Sequence, residues 1–110
     1  MGKGMLESQF QAKLVKQLKE RYPGSIVFKG PSDQIQGFPD LIILHGPRWA
    51  ALECKRSATS KHQPNQDYYV KKMNKMSFAA FIFPENKKEV LDGLQSTLEP
   101  RRVSRVSRRK

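Results

Sequence analysis

Three ionisable residues near the middle of the chain could do chemistry together, namely Asp40, Glu53 and Lys55. Like charges placed directly opposite each other destabilise a sheet, so two carboxylates that meet there need a positive charge between them. A hard divalent cation such as Mg²⁺ binds carboxylate oxygens well. If the fold brings these residues together, their chemical types therefore predict a metal site with a lysine beside it.

Two short apolar runs must position these residues, one over residues 41–44 and one over residues 49–52. Each run has the length of a buried strand. The residues between the runs include a glycine and a proline, which predicts a tight turn and therefore an antiparallel hairpin. A symmetric turn of two or four residues pairs Leu44 with Trp49, and the register of every later pair follows from that one.

The register of this hairpin places Asp40 directly opposite Glu53, and directly opposed residues point to the same face of a sheet. Because side chains alternate along a strand, Lys55 lies on that face too and Cys54 points away. The alternative is that Asp40 is a turn residue and that Glu53 and Lys55 form a solvated pair at a strand edge. The match between the two halves of the hairpin favours the metal site.

These motifs resemble the signature of the PD-(D/E)XK nuclease superfamily. The Pro-Asp string that ends at Asp40 and the Glu-x-Lys string that ends at Lys55 are similar to its two core elements. With Gly37 and a downstream glutamine, the pattern is similar to the VRR-NUC branch and to small phage junction-resolving endonucleases. The resemblance covers roughly residues 5–95. It implies a restriction-endonuclease-like core and a metal-dependent enzyme that hydrolyses phosphodiester bonds.

The resemblance also implies roles for individual residues. Asp40 and Glu53 would bind Mg²⁺ or Mn²⁺, the backbone carbonyl of Cys54 would be a further ligand, and Lys55 would assist the attacking water. One element departs from the pattern, because the apolar run at residues 78–83 lacks the Val-Arg-Arg string that names the VRR-NUC branch. This departure leaves the superfamily resemblance intact and leaves the branch and the substrate open.

Glu7 lies in an unusual place in the first predicted helix, residues 5–21. Apolar residues recur there at spacings of three and four, and Glu7 falls in the middle of their stripe. A carboxylate that faces a core must be paired or must bind a metal. The alternative is a first-turn acid favoured by the helix dipole, with its charge in solvent. The resemblance implies the first interpretation, with Glu7 at the metal site.

Gln66 raises a similar question in the second predicted helix, which begins at Pro64 and ends near Met76. It lies on the apolar face of that helix, and an inward-pointing amide needs a hydrogen-bond partner. One interpretation is an amide bonded to the local backbone at the helix start. The other places Gln66 beside the metal site, where it would orient Lys55 or the scissile phosphate. Gln63 is a competing candidate for the same role.

The remaining elements complete an α/β fold. Residues 26–28 and residues 78–83 predict two more strands, and a last helix follows with Asn86 in the cap role. The element order is then α-β-β-β-α-β-α. We therefore predict one nuclease domain over residues 1–98, with a mixed sheet of about four strands flanked by helices. The strand, helix and strand that follow the turn should form a parallel crossover.

The chain is strongly basic, since 21 Lys and Arg against 10 Asp and Glu give a net charge of +11 over 110 residues. Such a charge favours a polyanionic partner, with nucleic acid first and an anionic membrane second. Residues 99–110 form a basic tail that we expect to be disordered when free. The alternatives to nucleic-acid contact are an ordinary mobile loop after the second hairpin strand, and a localisation signal or a passive solubilising tail at residues 99–110. The candidate nucleic-acid contacts are Lys29, Arg56, Lys61, His62, Arg101 and Arg102.

Two functions fit these observations. The first is a Mg²⁺- or Mn²⁺-dependent DNA endonuclease, similar to phage-type homodimers that resolve junctions or other branched DNA, with nicking as a variant. The second is a non-catalytic basic nucleic-acid-binding protein with a nuclease-like fold, whose function would not depend on Asp40 or Glu53. The sequence has no signal-peptide pattern and no run of about 18 apolar residues. We therefore expect a cytoplasmic protein that does not contact membranes.

Overall fold

Seven principal elements form the fold, in a computed structural model that describes residues 6–100. Their order is the predicted one, and a single short 3₁₀ turn, Pro84–Asn86, is the addition. The helices are α1 (Glu7–Arg21), α2 (Pro64–Met76) and α3 (Lys87–Leu98). The strands are β1 (Ile26–Lys29), β2 (Leu41–His45), β3 (Arg48–Cys54) and β4 (Phe78–Ile82).

The hairpin of β2 and β3 has the predicted register. Leu44 pairs with Trp49 and Leu41 pairs with Leu52 in an antiparallel ladder. The turn between the strands contains Gly46 at a φ of 60°, in the left-handed region that glycine enters at little cost. The next step of the ladder beyond Leu41 and Leu52 is the pair of residues that carries the candidate site.

The four strands form one mixed sheet in the order β1-β2-β3-β4. β1 pairs with β2 antiparallel, and β3 pairs with β4 in parallel. The chain reaches β4 from β3 through α2, because a parallel neighbour requires a crossover connection. The predicted mixed sheet and the parallel strand–helix–strand unit are therefore confirmed.

The two faces of this sheet are covered differently. We call the face under α1 and α3 the closed face, because Leu14, Leu18 and Leu94 bury at least 99% of their surface there. Burying a leucine side chain contributes roughly 1.5–3 kcal/mol. We call the opposite face the α2 face, where a smaller cluster centred on Ala51 and Val70 packs under that single helix.

Asn86 does not act as the predicted side-chain cap of the last helix. Its Oδ1 accepts a hydrogen bond from the backbone N–H of Phe83 at 2.9 Å, and its Nδ2 donates to the carbonyl of Phe81 at 3.0 Å. The amide therefore satisfies the backbone where β4 ends, and the 3₁₀ turn takes the place that the capping box was expected to fill. Within residues 6–100 the structure contains no helix with the length and apolar character needed to cross a membrane.

Candidate active site

Asp40 and Glu53 meet where β2 begins and β3 ends. The Oδ2 of Asp40 accepts a hydrogen bond from the backbone N–H of Cys54 at 2.8 Å. In return, the Oε1 of Glu53 accepts one from the backbone N–H of Asp40 at 3.2 Å. Each carboxylate is thus held by the main chain of the opposite strand. Glu53 is 2% exposed, so its charge is almost fully withdrawn from water.

Lys55 brings the positive charge to the same place. Its ammonium nitrogen lies 3.9 Å from the Oε2 of Glu53. It donates hydrogen bonds to the backbone carbonyl of Lys61 at 2.9 Å and to the Oε1 of Gln66 at 2.7 Å. Lys55 is only 6% exposed. Its position is therefore set by three partners from three separate segments of the chain.

Gln66 connects the two charged side chains. Its Nε2 donates to the Oε2 of Glu53 at 2.9 Å, and its Oε1 accepts from Lys55. The same Oε1 accepts a hydrogen bond from the backbone N–H of Gln63 at 3.0 Å, at the start of α2. Gln66 therefore bonds the local backbone and also contacts Glu53 and Lys55, and its role at a metal site stays a prediction. Gln63 contributes its backbone to this arrangement.

Burial and mutual repulsion set the electrostatics of the carboxylates. Burial, followed by the negative charge of Asp40, raises the pKa of Glu53 to about 8. Burial also raises the pKa of Asp40, against the hydrogen bond from Cys54 and the charge of Lys55. One lysine therefore does not fully balance the two carboxylates, and a further cation would be favoured between them.

Glu7 lies near the carboxylate pair but is not buried as its helix position predicted. The residue is exposed, as are Leu6, Ser8 and Gln9 around it. The core-facing expectation was wrong because the helix wheel does not reveal that the first turn of α1 lies uncovered. Partial burial and the charge of Asp40 nevertheless raise the pKa of Glu7. Its carboxylate is thus close enough to interact electrostatically with Asp40 and Lys55. Its role as a metal ligand stays a prediction.

The donor atoms of the site fit a hard divalent cation that keeps several waters. Within residues 6–100 no three His, Cys, Asp or Glu side chains are grouped to hold a metal ion by themselves. Asp40 and Glu53 offer carboxylate oxygens, each of which has more than one lone pair. Burial raises the pKa of the Cys54 thiol, which disfavours the thiolate as a ligand, and the role of its backbone carbonyl stays a prediction. Mg²⁺ is commonly held by one or two carboxylates plus water.

The candidate nucleic-acid contacts lie around this site where the structure describes them. Lys29 ends β1, and its charge acts on Asp40. Arg56 and Lys61 are exposed in the segment that follows β3. The ring of His62 stacks on Phe81 with centroids 3.9 Å apart, and its Nδ1 lies 3.0 Å from the Oδ1 of Asp67. Arg101 and Arg102 lie outside the described residues.

An apolar groove on the α2 face was not predicted from the sequence. It has a volume of about 530 Å³ and runs between α2 and the strands β1 and β2. Side chains at residues 69, 73 and 76 form one wall. They belong to the predicted apolar face of α2, and the part of that face that the sheet leaves uncovered is the signal for the groove. Its lining includes Phe28, Phe38, Trp49, Tyr69, Met73 and Met76.

A solved structure described as a VRR_NUC domain protein is similar to this chain. The two share 20% sequence identity over 89% of this chain and 92% of the other, with a TM-score of 0.60. This likeness shows that the chain has a VRR-NUC nuclease-like fold. No family model and no curated protein matches the sequence. Because a fold does not determine a function, the function must be argued from the site itself.

Proposed function

We propose that this chain is a divalent-metal-dependent DNA endonuclease that hydrolyses phosphodiester bonds. The observation that carries the proposal is the pair of the half-buried Asp40 and the buried Glu53, with Lys55 held beside it by Gln66. A purely structural sheet gains nothing from bringing a second carboxylate against a buried one, since a buried ion costs several kcal/mol unless it is compensated. The nuclease-like fold and the net charge of +11 support the same conclusion.

Asp40 and Glu53 would hold the metal, with the backbone carbonyl of Cys54 as a further ligand. When bound, Mg²⁺ or Mn²⁺ supplies Lewis acidity and a water of lowered pKa. Lys55 would neutralise charge that develops on the phosphate in the transition state, because a preorganised donor in a buried site needs no rearrangement. Gln66 would hold the ammonium of Lys55 and the carboxylate of Glu53 in fixed positions relative to each other, because it bonds both.

The substrate we propose is DNA, in particular junctions and other branched forms, or duplex DNA in which the enzyme cuts one strand. Three exposed cations would contact phosphates, namely Lys29, Arg56 and Lys61. Arg56 and Lys61 follow the site strand in sequence, and the charge of Lys29 acts on Asp40. We assign the same role to His62 and to Arg101 and Arg102 in the basic tail. Each phosphate contact releases counterions, so these contacts would make binding weaken as salt rises.

We also infer that the enzyme acts as a homodimer through the apolar groove. Of the described residues that line it, only Lys72 is charged, although the chain carries +11. Two such chains would repel each other except at an uncharged surface. β1 lies at the edge of the sheet beside the groove, and an unpaired strand edge can pair with its symmetry copy. Two copies would supply one site for each strand of the DNA.

The homodimer is tested by placing a charge in the groove. Met76 is 67% exposed and lines it, so Met76→Lys should weaken self-association without unfolding the chain. Tyr68→Lys is the matched control, since Tyr68 is exposed on the same helix and does not line the groove. Sedimentation equilibrium measures both. A wild-type chain that stays monomeric at high protein concentration and high salt would contradict the homodimer.

The endonuclease is tested by removing one negative charge at a time from the site. Asp40→Asn and Glu53→Gln should each lower the cleavage rate by at least roughly 10²–10³-fold, the scale of losing one preorganised charged group. DNA binding should stay the same or strengthen, because less negative charge faces the phosphates. Asp33→Asn, an exposed acid in the preceding loop, is the control and should cleave normally.

The alternative is a non-catalytic DNA-binding protein that keeps the fold. It predicts no cleavage of linear, nicked or four-way DNA by the wild-type chain, with or without Mg²⁺, and equal binding by wild type and both variants. Cleavage by the wild type that persists at full rate in Glu53→Gln would instead place the active site elsewhere.

A further inference from the structure

A second, polar pocket opens beside the catalytic side chains. It has a volume of about 290 Å³ and lies between the loop that leads to Asp40 and the first turn of α2. Gln66 forms part of its wall, and the same side chain bonds Glu53 and Lys55. The pocket therefore adjoins the place where the scissile phosphate would sit. Its lining residues are Gln36, Gly37, Gln63, Pro64, Asn65 and Gln66.

Close packing at Gly37 fixes the two walls of this pocket against each other. Gly37 has a φ of 87°, and a Cβ added there would overlap the Cβ of Asn65 and lie 2.7 Å from its carbonyl carbon. Only glycine therefore allows the loop to approach the helix this closely. As a result, Gln36 on the loop and Asn65 on the helix are held at a set separation, so the walls of the pocket are prearranged.

The chemistry of the lining distinguishes this pocket from a phosphate site. None of the described residues that line it is charged, so the pocket lacks the Lys and Arg side chains that neutralise phosphates and make binding depend on salt. The side chains of Gln36 and Asn65 are exposed, so their amides are open to a ligand. An amide both donates and accepts a hydrogen bond, which matches the paired donor and acceptor of a base edge, adenine above all.

We propose that this amide pocket binds the base edge of a nucleotide next to the scissile phosphate and thereby sets where the DNA is cut. The inference rests on the proposed endonuclease function and adds a source of sequence preference to it. A good bidentate amide contact discriminates against the wrong base by about 5- to 150-fold. Gln36 and Asn65 are the residues that contact the base. Gln66 lines the pocket and also bonds Glu53 and Lys55, so it connects the base contact to the site of cleavage.

The experiment uses the full chain with DNA in which the sequence around the cut is randomised. Gln36→Ala and Asn65→Ala each remove one amide, and Asn65→Ala keeps the Cβ that packs against Gly37. Gln34→Ala is the matched control, because Gln34 is exposed in the same loop and does not line the pocket. Arg56→Ala serves as the comparison for a phosphate contact. Sequencing gives the cleaved positions, and the same library is also selected for binding without metal.

We expect wild type and Gln34→Ala to share one preference in cleaved and in bound sequences. Gln36→Ala and Asn65→Ala should flatten that preference by about 5-fold or more while leaving the salt dependence of binding unchanged, since a neutral contact releases no counterions. Arg56→Ala should instead reduce the salt dependence of binding and leave the sequence preference unchanged. Unaltered preferences in both amide variants, or no preference in the wild type, would overturn the inference. A salt slope reduced as in Arg56→Ala would show a phosphate contact instead and would also overturn it.

The two proposals fail in different ways. If the wild type never cleaves but binds the library with a preference that the amide variants lose, the endonuclease is wrong. The control of cut position by the amide pocket is then wrong too, and its binding of a base edge stands. If the wild type cleaves with Mg²⁺ at positions that no amide variant changes, the endonuclease stands and the amide pocket is wrong.

Discussion

The two faces of the sheet bury different kinds of residue. On the closed face, Leu14 and Leu94 are fully buried under α1 and α3. On the α2 face, strand β3 carries a buried carboxylate at Glu53, one residue before its end, and a buried amine follows at Lys55. Alternation along a strand is enough to send Leu52 and Cys54 to one face and Glu53 and Lys55 to the other.

This difference teaches how a small chain can hold a costly site. Buried charges oppose folding, and a 110-residue chain has little free energy of folding to lose. Apolar burial on the closed face offsets that cost without contacting the site. The α2 face can then carry both the charged residues and an open groove. Stability and chemistry are thus largely separated by the thickness of one sheet.

The strongest way to break this separation is to open a cavity on the closed face. Leu94→Ala should lower the free energy of unfolding by roughly 2–5 kcal/mol, because Leu94 is fully buried in the main cluster. Met76→Ala on the α2 face should change it by less than about 0.5 kcal/mol in the monomer, at protein concentrations below self-association, since the residue is mostly exposed in a single chain. Urea denaturation measures both. Below its unfolding transition, Leu94→Ala should keep the cleavage rate per folded molecule.

The converse change removes a proposed catalytic side chain from the α2 face and leaves the closed face intact. Lys55→Ala should slow cleavage by roughly 10²–10³-fold while Mn²⁺ binding persists, because lysine donates hydrogen bonds and does not bind metal. Lys71→Ala, at an exposed position on α2, should leave both unchanged. Calorimetric titration with Mn²⁺ and a cleavage assay separate the two properties. Loss of metal binding together with activity would show that Lys55 holds the site together instead.

The smallest expected effect is a pH dependence that belongs to the α2 face alone. The pKa of Glu53 is raised from 4.5 to about 8, so the folded state holds this proton more tightly than the unfolded state. The corresponding stability is present below the unfolded pKa and is lost as pH rises toward the folded one. Without metal, the melting temperature should therefore fall between about pH 5 and about pH 8.

Two comparisons test the origin of this pH dependence. Glu53→Gln should flatten it, because the amide does not titrate. Saturating Mg²⁺ should also reduce it, because the cation takes the place of the proton. An equal slope in wild type and Glu53→Gln would show that other groups cause the pH dependence.

Local rules predicted much of this fold because its elements are locally consistent. α2 begins and ends at the predicted residues, since a proline opens it and its apolar face is regular. The hairpin register was predicted correctly because the turn between Leu44 and Trp49 is short and symmetric. The opposition of Asp40 and Glu53 followed from that register alone.

The parts that were wrong or missed depend on contacts between distant segments. Whether Glu7 is covered depends on what packs against the first turn of α1, which helical periodicity does not contain. The main-chain carbonyl of Lys61 that holds Lys55 leaves no trace in residue types. The same is true of the approach of Gly37 to Asn65. Sequence patterns therefore predicted which residues come together, and the tertiary structure supplied how they are held.

The hairpin register also determines which changes in chain length the protein can tolerate. A shift of one residue in strand pairing turns every side chain of the shifted strand to the other face. One codon gained or lost between Asp40 and Glu53, unless the turn at Gly46 absorbs it, would bring Cys54 or Leu52 into the place of Glu53. Single-residue insertions and deletions in these strands would therefore be eliminated by selection.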